Sequence, residues 1–319
     1  MESRGHEGVG FFLFIMSTEG AISMHEPTNS ISRRELGSQT KDRSQFSRVL
    51  MDCVRTLRID PSETALVVGG SFQDVEILQR VGFRDITLSN FAPVSCSSLP
   101  SADGLNLKAL CEDAENSALA NDSRDFVLAH EVLHHCRSPH RALVEMLRVS
   151  RRYVVILEPN DSLFMKALVK ARLSFPYELP AVIYHNFESG GVRDSCVPNF
   201  IYRWNTNEIF KTVSSFIPER TFEIHARPYW DFNVDTQDLA LRQETRLSLF
   251  MRALGAERFL RLLRLLQRIL NFIPVVRRQG NKFFCCVKKK DQLQSWLIWE
   301  QNQIVFNRTF SAEKPDTPS

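Results

Sequence analysis

One stretch restricts the fold more than any other. From Asp125 the chain reads a short apolar run, Phe126-Val127-Leu128-Ala129, which ends at His130-Glu131. A run this brief, with no helix-start signal ahead of it, reads as a fully buried parallel strand. Ser138-Pro139 then opens a helix, because proline suits the first helical position and Leu143, Met146, Leu147 and Val149 share one helical face after it. A second apolar run, Tyr153 to Leu157, stops at Glu158-Pro159-Asn160. Strand, helix and strand make a βαβ unit, in which ligands sit beyond the carboxyl ends of the strands. The sequence therefore directs attention to His130-Glu131 and to Glu158.

The same letters contain a competing motif. His130-Glu131-Val132-Leu133-His134 matches H-E-x-x-H, where two histidines one helical turn apart bind zinc and the glutamate is a general base; His140 falls where a third ligand would stand. That chemistry needs a helix running through all of these residues. Here a strand leads into His130, Arg137 holds a position where the longer pattern needs glycine, and Pro139 breaks the turn. No metal residue is therefore assigned. A zinc hydrolase through His130, Glu131 and His134 is kept as the less favoured alternative.

The remaining pattern extends the βαβ unit. Phe46, Val49, Leu50, Cys53, Val54 and Leu57 recur at helical spacing. Ala65 to Val68 is a buried strand entering Gly69-Gly70-Ser71, and a helix from about Phe72 to Val81 stops at Gly82. Ile86 to Asn90 and Leu105 to Cys111 read as two more strands, and Phe91 to Ala102 as loop or weak helix. Five strands alternating with helices predict an α/β fold: a doubly wound, mostly parallel sheet with a helical and loop insertion. The domain is expected over 43–291, between a disordered tail at 1–42 and a polar-aromatic tail at 292–319. Insertions are expected at about 161–205 and 236–272. The first is rich in aromatic, proline and glycine residues, as in lids and binding loops.

Composition narrows the function classes. With 319 residues, 43% of them hydrophobic, the chain can bury a large core. A net charge of +3 gives no concentrated basic footprint, so nucleic acid is not an expected partner. Seven cysteines without a C-x-x-C pair point to a reduced protein, and no run reaches the roughly 18 apolar residues of a membrane span, so a cytoplasmic protein is expected. Arg258, Arg261, Arg264 and Arg268 repeat near helical spacing beside leucines, as on a membrane-surface helix, although a helix with one solvated face reads the same way.

The order of these elements, and above all the run from Asp113-Ala114-Glu115 through Asp125-Phe126-Val127-Leu128-Ala129-His130-Glu131-Val132-Leu133-His134-His135, resembles class I S-adenosylmethionine-dependent methyltransferases, and among them the ubiquinone-methyltransferase-like group. The likeness covers roughly Phe46 to Asn160. It implies a Rossmann-like methyltransferase fold, S-adenosyl-L-methionine as cofactor, and methyl transfer to a small-molecule, sugar-like or lipid-like acceptor held under the first insertion. It further implies that Gly69, Gly70 and Ser71 form the cofactor loop, and that Asn90 reaches the ribose. Asp113 would accept from the adenine amine, and Ala114 would offer its amide to the ring. His130 and Glu131 would border the cofactor, and His130 and Glu158 are the candidate catalytic bases. The family's first motif departs here, with Val67 for the acid and Ser71 and Gln73 for the later glycines, and Asn90 stands for an acid. These departures keep a second alternative open: a decayed methyltransferase-like module that binds a partner.

Overall fold

The computed structural model describes residues 44–91, 104–171, 174–232 and 254–310. The expected N-terminal tail, the 91–102 loop beyond Phe91 and the first part of the 236–272 helical segment lie outside these residues.

The first helix, α1 (Ser44–Leu57), precedes β1 (Thr64–Val68). Next come α2 (Phe72–Val81), β2 (Asp85–Asn90), β3 (Asn106–Cys111) and β4 (Arg124–His130). A 3-10 turn at Leu133–His135 leads to α3 (Pro139–Val149) and β5 (Ser150–Pro159). The strands form a seven-stranded sheet in the order β3-β2-β1-β4-β5-β7-β6. Neighbours among β1 to β5 are parallel, while β7 (Lys282–Leu293) runs antiparallel to both β5 and β6 (Arg220–Tyr229). This is the doubly wound, mostly parallel architecture that the alternation of strands and helices predicts.

Side-chain alternation on the strands explains why both faces are covered. Ala65, Val67, Phe126 and Leu128 join α1 and α2 residues in one core, around Phe46, Leu50, Val75 and Leu78. Leu66, Val68, Val127 and Ala129 face the other way, against Leu143, Met146 and Leu147 of α3. Ile209 and Val213 of α6 (Thr206–Phe216) complete that second core. Successive strand residues point to opposite faces, so a continuous apolar run serves two cores at once.

The first insertion contains two short helices, α4 (Leu163–Lys170) and α5 (Leu179–Tyr184), and a 3-10 turn at Val192–Asp194. After β6 the described chain resumes in α7 (Ala256–Phe272) and α8 (Pro274–Arg277). No described helix is long and apolar enough to cross a membrane.

Two expectations need correction. Beyond β7 the chain forms a hairpin, β8 (Leu297–Glu300) with β9 (Gln303–Phe306), where a tail was expected. Gln301 and Asn302 both have positive φ, 50° and 63°, the backbone of a two-residue turn whose twist matches a hairpin. Without glycine the turn leaves little trace in the letters. Similarly, Lys288-Lys289-Lys290 reads by its letters as a solvated strand end, and the structure shows more than that. Lys289 Nζ donates to the carbonyls of Ser150 (2.6 Å) and Leu147 (3.2 Å) and lies 2.8 Å from Asp122, so it covers the carboxyl end of α3.

Candidate active site

The carboxyl ends of β1, β2, β3 and β4 lie side by side, and this places the candidate cofactor residues. Gly69 leaves β1 with φ 59°, and a Cβ there would stand 2.4 Å from Val132 Cγ1. At Gly70 a Cβ would stand 2.2 Å from Val67 Cγ1. Both positions need glycine, one for its left-handed backbone and both for close packing. Ser71 then opens α2: its N–H and its hydroxyl both donate to Asp74 Oδ2, at 2.8 and 2.9 Å. Asn90, at the end of β2, donates through Nδ2 to the Gly70 carbonyl at 2.8 Å, tying the second strand to the loop. Asp113 follows β3 and turns its Oδ1 onto the Glu115 N–H at 2.9 Å. Ala114 packs against the second core.

At the next strand, His130 ends β4 with Nδ1 2.6 Å from Asp74 Oδ1 and its ring stacked 4.2 Å from Phe46. Buried Asp74 thus joins the loop after β1 to the end of β4, through one oxygen to each. Glu131 has φ 57° and pairs with Lys282 of β7. Glu158, expected to face the acceptor, is instead fully buried. Its Oε1 accepts from the Val132 and Leu133 N–H groups at 2.9 and 2.7 Å, and its Oε2 lies 2.6 Å from His134 Nδ1. Three contacts occupy this carboxylate, so its geometry is that of a residue that fixes the turn after β4. Glu115 is buried and accepts from the Arg137 and Ser138 N–H groups ahead of α3.

The H-E-x-x-H letters are not on a helix. His130 is the last residue of a strand, Glu131 is left-handed, and His134 sits in a 3-10 turn. His140 faces Thr212 and Tyr202 hydroxyls at 3.0 and 2.9 Å. The chain does not assemble the ligand helix that the zinc-hydrolase reading requires.

Comparison with known proteins fits this arrangement. Residues 66–156 match the family model described as a methyltransferase domain. That span runs from β1 to β5. No curated protein matches it. Among solved structures it is similar to a SAM-dependent methyltransferase from Thermotoga maritima (11% identity, 76% of this chain and 89% of that one, TM-score 0.40). It is also similar to magnesium protoporphyrin IX methyltransferase from Synechocystis with bound SAH (15%, 60% and 83%, 0.41) and to a SAM-dependent methyltransferase from Archaeoglobus fulgidus (12%, 76% and 94%, 0.39).

The segment at 161–205 makes contacts that were not legible in sequence. Arg193, left-handed at φ 51°, pairs with Asp113 and lies 4.9 Å over the ring of Phe91, the residue after Asn90. Glu178, just ahead of α5, reaches the turn after β4: its Oε2 lies 3.2 Å from His134 Nε2 and 3.4 Å from His135 Nε2. By their letters His134 and His135 read as turn groups that satisfy backbone; in the structure their rings face carboxylates. Burial alone would lower the His134 pKa, yet the Glu158 charge and hydrogen bond, with Glu178 beyond, raise it to about 10. Burial works against the ionised Glu178 too, and the hydrogen bond and charge of His134 hold it down at about 2. For His135, burial and the neighbouring His134 charge act together to lower the pKa. Gly190-Gly191 is the one sequence sign of this tight loop: a Cβ on Gly191 would stand 1.9 Å from the Val197 carbonyl oxygen.

Proposed function

We propose that the protein is an S-adenosylmethionine-dependent methyltransferase acting on an acceptor held beneath the insertion at 161–205. The observation that carries this is the loop after β1, where Gly69 and Gly70 bring bare backbone to the carboxyl edge of the sheet between Asn90 and Val132, within the span that matches the methyltransferase family. A side chain would fill that cradle. The loop therefore favours the enzyme over a decayed module, despite the missing second and third glycines of the family motif.

The residues present fit the cofactor. Gly69, Gly70 and Ser71 would take its amino-acid end, Asn90 its ribose, and Asp113 with Ala114 its adenine, with His130 and Glu131 bordering it. Bound there, the cofactor supplies an electrophilic methyl group on a sulfonium. The chain's own part is to place an acceptor atom in line and to relieve it of a proton where it carries one. His130, its Nδ1 fixed by Asp74, is the proposed proton acceptor. Glu158 is a positioning residue in this reading. Arg193 lies over Phe91 and on Asp113, where the adenine would come, so cofactor entry displaces it.

The acceptor is proposed to be a small molecule. The insertion offers it exposed apolar groups, including Phe164, Tyr177 and Phe200. Calorimetry with S-adenosylhomocysteine tests the reading. Losing a hydrogen bond to a charged acceptor costs about 1.5–3 kcal/mol, so Asp113→Ala is expected to weaken binding about ten- to a hundred-fold. Asn90→Asp is expected to tighten it, because an ionised acceptor binds hydroxyls more strongly. Absence of wild-type binding at high ligand concentration would favour the decayed module.

A further inference from the structure

The turn after β4 and the residue ahead of α5 bring together three donor atoms that the methyl-transfer reading does not use. His134 Nε2, His135 Nε2 and a Glu178 carboxylate oxygen all lie within 4.8 Å of one another. Two of the separations are 3.2 and 3.4 Å. Donor atoms around a tetrahedral ion with bonds of about 2.0–2.1 Å stand about 3.3–3.4 Å apart. The protein already holds these two edges at that length.

The far side of each ring determines what the near side can offer. Glu158 spends Oε1 on two backbone N–H groups and turns Oε2 to His134 Nδ1, so Nδ1 keeps its proton and Nε2 is the ring atom that would present a lone pair once a metal displaces the proton there. His135 turns its Nε2 to the same Glu178 oxygen at 3.4 Å. A carboxylate acceptor behind the imidazole, as Glu158 is behind His134, is the kind of partner that orients a metal-bound histidine. The same two contacts can be made by N–H groups of the rings, so a metal ion at this point would take the place of those protons.

We propose that His134, His135 and Glu178 bind a divalent first-row transition ion of the zinc type, closing the insertion onto the turn after β4. Two imidazoles and one carboxylate suit such an ion, and three protein ligands leave a fourth position for water. A further observation lies beside the cluster. Asn199 is completely buried and donates to Glu178 Oε2 at 3.1 Å, while its Oδ1 has no hydrogen-bond partner among the described residues. A buried acceptor of this kind is rarely left unpaired, and a metal-bound water would pair it. The half-exposed side chains of His135 and Glu178, 30% and 34% accessible, give the ion a way in. This trio shares only His134 with the H-E-x-x-H letters, and it does not rest on the cofactor reading.

The test uses the untagged full chain, stripped with EDTA and dialysed, then titrated with zinc by calorimetry and with cobalt by visible absorption. One equivalent of zinc is expected to bind, with a tetrahedral cobalt spectrum. His135→Ala and Glu178→Ala are each expected to weaken binding by at least about a hundred-fold, and Glu158→Gln, acting through His134, by about ten- to a hundred-fold. Circular dichroism of the metal-free variants controls for folding. His135, partly exposed in a turn, is the variant expected to leave the fold intact. Failure of the wild type to bind zinc or cobalt would overturn the proposal and leave a proton as the cation in the cluster. Stoichiometric binding unchanged in both ligand variants would overturn it equally, by placing the ion elsewhere.

Discussion

The two sides of the sheet's carboxyl edge are built on opposite plans. On the side proposed for the cofactor, Gly69, Gly70, Asn90 and Asp113 each stand at or just past the end of a strand, and their positions are set by the strand register. On the insertion side, Glu178 and Arg193 come from a segment with little regular structure and are held by charge, Arg193 meeting an aspartate 80 residues earlier in the chain. Backbone-defined positions tolerate almost no change in shape, whereas charge-defined ones tolerate shape changes and respond to electrostatics. The comparison therefore predicts that the two sides fail differently.

The largest effect is expected from shape on the cofactor side. Gly70→Ala places a methyl group 2.2 Å from Val67 Cγ1 inside a strand with no room to yield, so overpacking of about 1–3 kcal/mol is expected, with cofactor affinity falling by about a hundred-fold. Val67→Ala in the same chain should restore part of both losses. Melting temperature and calorimetry read them separately. If Gly70→Ala binds cofactor normally, backbone approach is not what the loop supplies.

A smaller effect, with the opposite sign, is expected across the divide. Arg193→Ala removes a cation from Phe91 and from Asp113, contacts worth about 1 kcal/mol at a partly exposed site. If the arginine competes with the adenine, the variant binds cofactor up to about ten-fold more tightly. Weaker binding would show instead that Arg193 belongs to the bound state, and the contrast between the two sides would shrink.

The sequence disclosed the two plans unequally for a physical reason. Buried parallel strands must be apolar on both faces, so β1, β2, β4 and β5 stand out as short runs such as Phe126 to Ala129, and the loop glycines come directly after the first of them. Ser71 with Asp74 three residues later reads as a helix-start box, but the second Asp74 oxygen reaches His130, 56 residues away, and no local pattern encodes that. Glu158 reads as a candidate base on the acceptor side because it ends an apolar run, yet the turn after β4 folds back and buries it. Glu178 and Arg193 sit among aromatic, proline and glycine residues without a period, and only the fold shows which earlier residues they meet.

The smallest prediction concerns the one charge-defined element on the cofactor side. The loop after Asp113-Ala114 is held by Arg148 of α3, which donates to the carbonyls of Leu119 and Ser117 at 2.7 and 2.9 Å and pairs with Glu145 at 2.8 Å. Glu145 in turn accepts from the Ser117 N–H at 3.1 Å. The Arg148 hydrogen bond, outweighing burial, lowers the Glu145 pKa below its ordinary value of 4.5. A depressed carboxylate contributes stability that is present above its unfolded pKa and lost as pH falls through the folded one. Glu145→Gln is therefore expected to destabilise the protein by about 1 kcal/mol near neutral pH, lowering the melting temperature by about 2–4 °C. The gap to wild type should close as pH drops below about 4.5. A gap that stays constant through that range would mean that shape, not charge, holds this loop, and the cofactor side would then be backbone-defined throughout.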